Sequence, residues 1–294
     1  MRWRWTGLAP ALAMVLAPAA HSAVKPAKAA AAAAYAMPST QMWDMTADNG
    51  EVYRIFVSYP SHDQAPPNGY PVLYVLDGNA AFAGFAAARW VQEYQPVGKM
   101  IVVGVGYPTD KAYDYRRLYD LTAPLLDPPP QAWKELKKYR SGGQDAFLDF
   151  LTGKLRAEIG RRFTINPERQ SLFGHSLGGI FVLHALFTRP QAFYSLVAAS
   201  PSIEWNEQGI LPEERAFAAQ LTSGKIRNPS RLLVVVGGRD VDDDPYAGEA
   251  FARRMDLLSG HGLRSRLRRY EEEVHISVPA RSVTDVLRFV AEGF

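Results

Sequence analysis

The stretch LFGHSLGGIFVL, Leu172 to Leu183, sets one serine between glycines where a short apolar run gives way to a longer one. SLF ahead of the motif reads as the end of a strand, and LGGIFVLHALF behind it has helical spacing. Gly174-His175-Ser176-Leu177-Gly178 matches G-x-S-x-G, a strand–turn–helix device that holds a serine on a strained turn with its hydroxyl exposed. Alone the pattern is weak, since glycine-rich strand–helix turns are common. The flanking strand and helix make it informative, and they predict an α/β fold.

The rest of the chain agrees. Short β-branched runs alternate with longer amphipathic stretches, the pattern of a mostly parallel sheet covered by helices on both faces. Strands are predicted at Val52–Tyr59, Val72–Leu76, Met100–Val105, Gln170–Phe173, Leu196–Ala199, Leu232–Val236 and Ser265–Tyr270. Val52–Tyr59 alternates and is expected antiparallel at an edge. VLYVL, IVVGV and LLVVV are nearly all apolar, as strands covered on both sides are. Helices are predicted at Ala80–Glu93, Asp145–Ile159, Leu177–Phe187, Glu213–Thr222, Ala247–Leu258 and Val278–Ala291, the last capped by Ser277 with Pro279 in its first turn. Thr109–Gly143, with Pro128-Pro129-Pro130 and Gly142-Gly143, reads as a lid-like insertion.

A serine hydroxyl needs a base to attack at neutral pH. Of the six histidines, His21 lies in the N-terminal leader, His62 in a loop, His184 in an apolar helix and His261 in a turn. His175 belongs to the serine's own turn and is expected to point away from it. His275, after the last strand and before the last helix, occupies the base position of the order Ser…Asp/Glu…His. The acid should follow LLVVV, where the chain reads GGRDVDDDPY. Asp240, nearest the strand end, is preferred and Asp244 comes second; a solvated or calcium-binding acidic loop is the alternative. An oxyanion requires two backbone N–H donors. Leu177 supplies one, and Asn79, in the turn Asp77-Gly78-Asn79, is the candidate for the other.

The chain's ends and charge narrow the setting. MRWRW followed by TGLAPALAMVLAPAA has the basic start and short apolar core of a secretory signal, so residues 1–23 are expected to be a signal peptide and 24–40 a low-complexity flexible segment. Residues 41–294 then form one hydrolase domain. The apolar run is too short to span a bilayer comfortably, so no stable membrane insertion is expected after cleavage. With no cysteine among 294 residues, disulfides, thiolate metal sites and a cysteine nucleophile are excluded. Removing Arg2 and Arg4 leaves 31 basic against 30 acidic residues, which gives no reason to expect a nucleic-acid partner. Locally, Arg116, Arg117, Lys134, Lys137, Lys138 and Arg140 cluster with Tyr113, Tyr115, Trp133 and Tyr139, a rim suited to steering a flat anion unless it is simply a solvated face.

From about Tyr53 onward the chain resembles the bacterial siderophore esterases of the α/β-hydrolase superfamily, the periplasmic salmochelin and enterobactin type. The resemblance rests on YPVLYVLDGNAAF, VVGVGYPTD, RLYDLTAP, SLFGHSLGGIFVL, AASPSIEWN and VHISVPARS, in that order. It implies an α/β-hydrolase fold and hydrolysis of the serine trilactone of catecholate siderophores such as ferric enterobactin, aiding iron release in the periplasm. It implies Ser176 and His275 as catalytic, Asp77-Gly78-Asn79 at the oxyanion, and Arg117, Trp205 and Gly78 against the substrate. In that family the acid position varies and some members work as a Ser–His dyad. The chemistry needs no metal or organic cofactor, and any iron arrives with the substrate. Two other readings share these residues: an exported esterase of feruloyl, acetyl or other small acyl groups, and a non-catalytic binding protein on the same scaffold.

Overall fold

The structure, a computed structural model of the chain, describes residues 35–61, 64–240 and 245–292. The expected signal peptide, His21, His62 and Asp244 lie outside the described residues. Strands β1 (Thr40–Thr46), β2 (Val52–Ser58), β3 (Tyr70–Leu76), β4 (Ile101–Gly106), β5 (Ile165–His175), β6 (Ser195–Ala199), β7 (Arg231–Gly237) and β8 (Ser265–Tyr270) form one sheet in the order β1-β2-β4-β3-β5-β6-β7-β8. The first two pairings are antiparallel and all others parallel.

The helices are α1 (Gly78–Val91), α2 (Arg117–Leu121), α3 (Gln144–Phe150), α4 (Arg156–Arg162), α5 (Leu177–Thr188), the one-turn α6 (Trp205–Gln208), α7 (Leu211–Thr222), α8 (Pro245–Asp256) and α9 (Val278–Ala291). A π-helical turn, Leu151–Leu155, joins α3 to α4. Among the described residues no helix is long and apolar enough to cross a membrane.

Strand side chains alternate between two cores. On β3, Leu73 and Val75 join the core built with Phe85 of α1 and Val286 and Leu287 of α9. Val72, Tyr74 and Leu76 join the opposite core, with Phe147 of α3, Phe181 of α5 and Phe217 of α7. This two-sided burial is why the strand sequences are continuously apolar. It also explains α5, whose residues from Leu177 to Phe187 are all buried. His184 is a core histidine, its Nδ1 2.9 Å from Glu213 Oε2 and 3.1 Å from Gln144 Nε2.

Three expectations are corrected. The edge strand is β1, not β2; TQMWDMT keeps no fully buried residue, so its sequence carries no inside–outside signal. The ordered fold accordingly reaches the segment assigned as flexible: Thr40 begins β1, and its hydroxyl donates to the Met37 carbonyl at 2.7 Å. Ser277 does not cap α9. Its hydroxyl instead accepts from Val274 N at 3.0 Å and donates to Glu273 Oε2 at 2.6 Å, closing the short 3-10 turn His275–Ser277.

The chain runs from β3 outward to β4, then returns to β5 on the other side of β3. That reversal opens a crevice at the strands' C-terminal ends, the usual place for a site in such sheets.

Candidate active site

Ser176 lies between β5 and α5 with φ 59° and ψ −119°, a left-handed value that an L-residue adopts only under strain, of order 1–3 kcal/mol. Its N–H donates to Ala199 O at 3.0 Å, which ties the turn to β6. Close packing explains the glycines: a Cβ at Gly174 would overlap the Gly178 carbonyl, and one at Gly179 would come within 2.8 Å of Pro201 Cα. The Ser176 hydroxyl is 3.2 Å from that of Ser202, on the segment after β6.

His275 is carried in the turn after β8 and Asp240 in the turn after β7. Two backbone bonds knit these turns together, Gly238 N to Tyr270 O at 2.8 Å and Arg239 N to Glu273 O at 2.9 Å. Both side chains are nearly buried, and His275 Nδ1 lies 2.9 Å from Asp240 Oδ2. With Nδ1–H donating to the carboxylate, Nε2 keeps its lone pair.

His175 packs on His275, ring centroids 4.6 Å apart. Its Nε2–H donates to the His275 carbonyl at 2.9 Å. Burial, reinforced by the neighbouring His275, lowers its pKa to about 4. His175 is therefore a neutral plate beneath His275 at physiological pH, a role that one sequence position in a motif does not reveal.

The turn at the start of α1 adjoins the elbow, with Asp77 Oδ2 3.5 Å from where a Gly178 Cβ would lie. Asp77 itself is left-handed, φ 51°. The first N–H groups of a helix have no acceptor within it, and α1 and α5 begin beside this corner, at Gly78-Asn79 and at Leu177. The Asn79 side chain clamps the chain beyond β4: Oδ1 accepts from Tyr107 N at 2.8 Å and Nδ2 donates to Tyr107 O and Thr109 O. Gly78 packs against β4, where a Cβ would lie 2.8 Å from Val105 N, so it can offer the site only backbone.

Arg117 is placed differently from the expectation of a free, substrate-facing charge. Its Nε and Nη2 each meet an Asp77 carboxylate oxygen at 2.8 Å. Burial opposes its charge, but Asp77 and the nearby tyrosines hold its pKa above the ordinary arginine value. Part of the basic rim is similarly committed: Arg116 pairs with Asp120 and Glu51, Arg140 with Glu51, and Lys137 with Asp127, while Lys138 lies over the Tyr139 ring. Trp205 is buried and turns its ring to Trp133 of the insertion, centroids 4.7 Å apart, so it holds the insertion down. Next to it, Asn206 Oδ1 accepts from Leu126 N at 3.0 Å and Nδ2 donates to Pro124 O at 3.0 Å. Asn206, Glu207 and Gln208 are all left-handed, φ 54° to 60°.

Between insertion and elbow lies a pocket of about 360 Å³, lined by Tyr113, Asp114, Tyr115, Arg117, Leu118, Leu136 and Leu177. Tyr115 stacks on Tyr139 at 4.3 Å and 7°. The pocket is thus largely aromatic and apolar, with one carboxylate, Asp114, and one arginine whose charge is already paired with Asp77.

Residues 46–258 match the family model for the esterase family. This chain belongs to the siderophore esterase family of α/β-hydrolases. It is 36% identical over 271 residues to the ferri-bacillibactin esterase BesA of Bacillus subtilis (strain 168), spanning 87% of this chain and 91% of that protein. The crystal structure of the BES protein from Bacillus cereus superposes with a TM-score of 0.76 at 32% identity, covering 90% of this chain and 99% of that one. The siderophore hydrolase EstB from Aspergillus nidulans gives 0.69 at 33% identity, covering 88% and 97%. The chain is a serine ester hydrolase.

Proposed function

We propose that this esterase cleaves the ester backbone of catecholate siderophores, enterobactin and its ferric complex among them, and so aids iron release. What supports the assignment is an elbow serine held on a strained turn, a histidine oriented by a carboxylate, and an aromatic-lined pocket beside Leu177. The relatives named for siderophore esters support the substrate class. Ser176 Oγ attacks the ester carbonyl and His275 Nε2 takes its proton, while Asp240 holds the tautomer and the resulting imidazolium. The oxyanion is met by the N–H of Leu177 and by that of Asn79. His275 returns the proton to the departing alkoxide, here a serine hydroxyl of the siderophore backbone. Water, activated by the same histidine, then releases the acyl group. We place the reaction in the periplasm, with residues 1–23 as the export signal and the low-complexity stretch that follows, up to about Met37, as a tether.

A second reading, an esterase of feruloyl, acetyl or other small acyl groups, draws on the paired state of Arg117, which leaves a pocket without a free cation. One experiment separates the two. Mature protein and Ser176→Ala are incubated with ferric enterobactin and the products resolved by chromatography. Linear trimer, dimer or monomer formed only by the wild type is the expected result. No cleavage of this complex or of iron-free enterobactin, with rapid turnover of a nitrophenyl ester, would discard this siderophore and favour the small-acyl reading. Wild-type activity in Ser176→Ala would overturn the nucleophile.

A further inference from the structure

A second cavity, of about 150 Å³, lies on the other side of Tyr113. Ala81 and Gly84 of α1 form one wall, and Pro279 and Val283 of α9 the other, with Tyr113 and Ile276 at the mouth. Tyr113 also lines the 360 Å³ pocket beside Leu177, so the two spaces share a wall. Ile276 directly follows His275 and is 60% exposed, an apolar side chain held at water next to the candidate base. None of the lining residues carries a charge.

Gly84 is the informative residue. A glycine inside a helix is unfavourable relative to alanine, so it usually answers a packing demand. Here there is none: an added Cβ would meet only Val283 Cγ2, at an ordinary 3.9 Å. What the missing side chain does is keep the groove open. An apolar cavity of about 150 Å³ is the size that holds one benzene-like ring.

We infer that this groove is a second subsite, taking one aromatic arm of the substrate that is not bound to metal while a backbone ester lies at Ser176. The inference rests on the siderophore reading above. A protonated catechol ring suits the groove, with its faces on Ala81, Gly84 and Val283 and its hydroxyl edge toward solvent. A metal-bound catecholate is dianionic and tied to its two companions through the metal. An apolar groove without a cation excludes it. The groove therefore favours iron-free or partly unloaded siderophore over the closed chelate.

The test compares wild type, Gly84→Phe, Gly84→Ala and Ile276→Ala on enterobactin, iron-free and as its redox-inert gallium(III) complex. Gly84→Phe fills the groove, and its kcat/KM ratio of free to gallium-bound trimer should fall about tenfold, mainly through KM on the free form. Gly84→Ala should fall between Gly84→Phe and wild type. Ile276→Ala, at the mouth, should shift the ratio the same way, so the result does not hang on the folding of one variant. Ratios equal to wild type in Gly84→Phe and Ile276→Ala, with both forms still cleaved, would overturn the groove alone. A wild type that cleaves neither form would overturn the siderophore reading, and the inference with it.

Discussion

His175 allows a quantitative test, because its environment leaves a signature in stability as well as geometry. The ring is 5% exposed, and its pKa falls from 6.5 to about 4 on folding. Between those two values the unfolded chain binds a proton that the folded chain refuses, so stability rises with pH through this window. The contribution is complete above about pH 6.5 and lost as pH falls to about 4. That fall, from 6.5 to about 4, corresponds to about 3 kcal/mol. His175→Gln keeps an N–H to donate to the His275 carbonyl but cannot titrate. Urea unfolding of both proteins from pH 4 to pH 7.5 gives two stability curves whose difference cancels every other group. That difference should change by about 3 kcal/mol across the window, the wild type losing more on acidification. Parallel curves would refute the buried, neutral assignment of His175 and with it the plate beneath His275.

Two further outcomes bear on the site. Asp240→Asn should lower kcat on a nitrophenyl ester by about a hundredfold or more, since an amide permits the wrong His275 tautomer; a change within about twofold would mean that the site works as a Ser–His dyad. Arg117→Lys keeps the charge but loses the two-point grip on Asp77, and kcat/KM should drop by about tenfold on neutral and anionic esters alike; a loss confined to anionic esters would show that Arg117 acts on substrate charge.

Much of this was legible in residue order because the signals are local. Continuous apolar runs marked the strands buried on both faces, and the expected helices lie where their spacing predicts, with ends shifted by a residue or a few, except that Asp145–Ile159 divides into α3 and α4 around a π-helical turn. The candidate serine, histidine and carboxylate each follow a strand end, so topology brings them together. Features that depend on distant partners were not legible. Arg117 in RLYD reads as a free cation until folding sets it against Asp77, 40 positions away. His175 and His275 are 100 positions apart, and nothing in either neighbourhood signals their stacking. Ser277 has the right type and place for a helix cap, yet the turn holding His275 claims its hydroxyl first.

The junction at Asn206 changes what the insertion over the site can be. A flap needs an end free to swing, but here Pro124 and Leu126 are bolted to a left-handed turn, and Trp133 is seated on Trp205. The same segment carries Ser202, whose hydroxyl reaches the Ser176 hydroxyl. Roof and floor are thus fastened to one segment, so a substitution at Trp205 or Asn206 would disturb the cover over the cleft and the ground beneath the serine together.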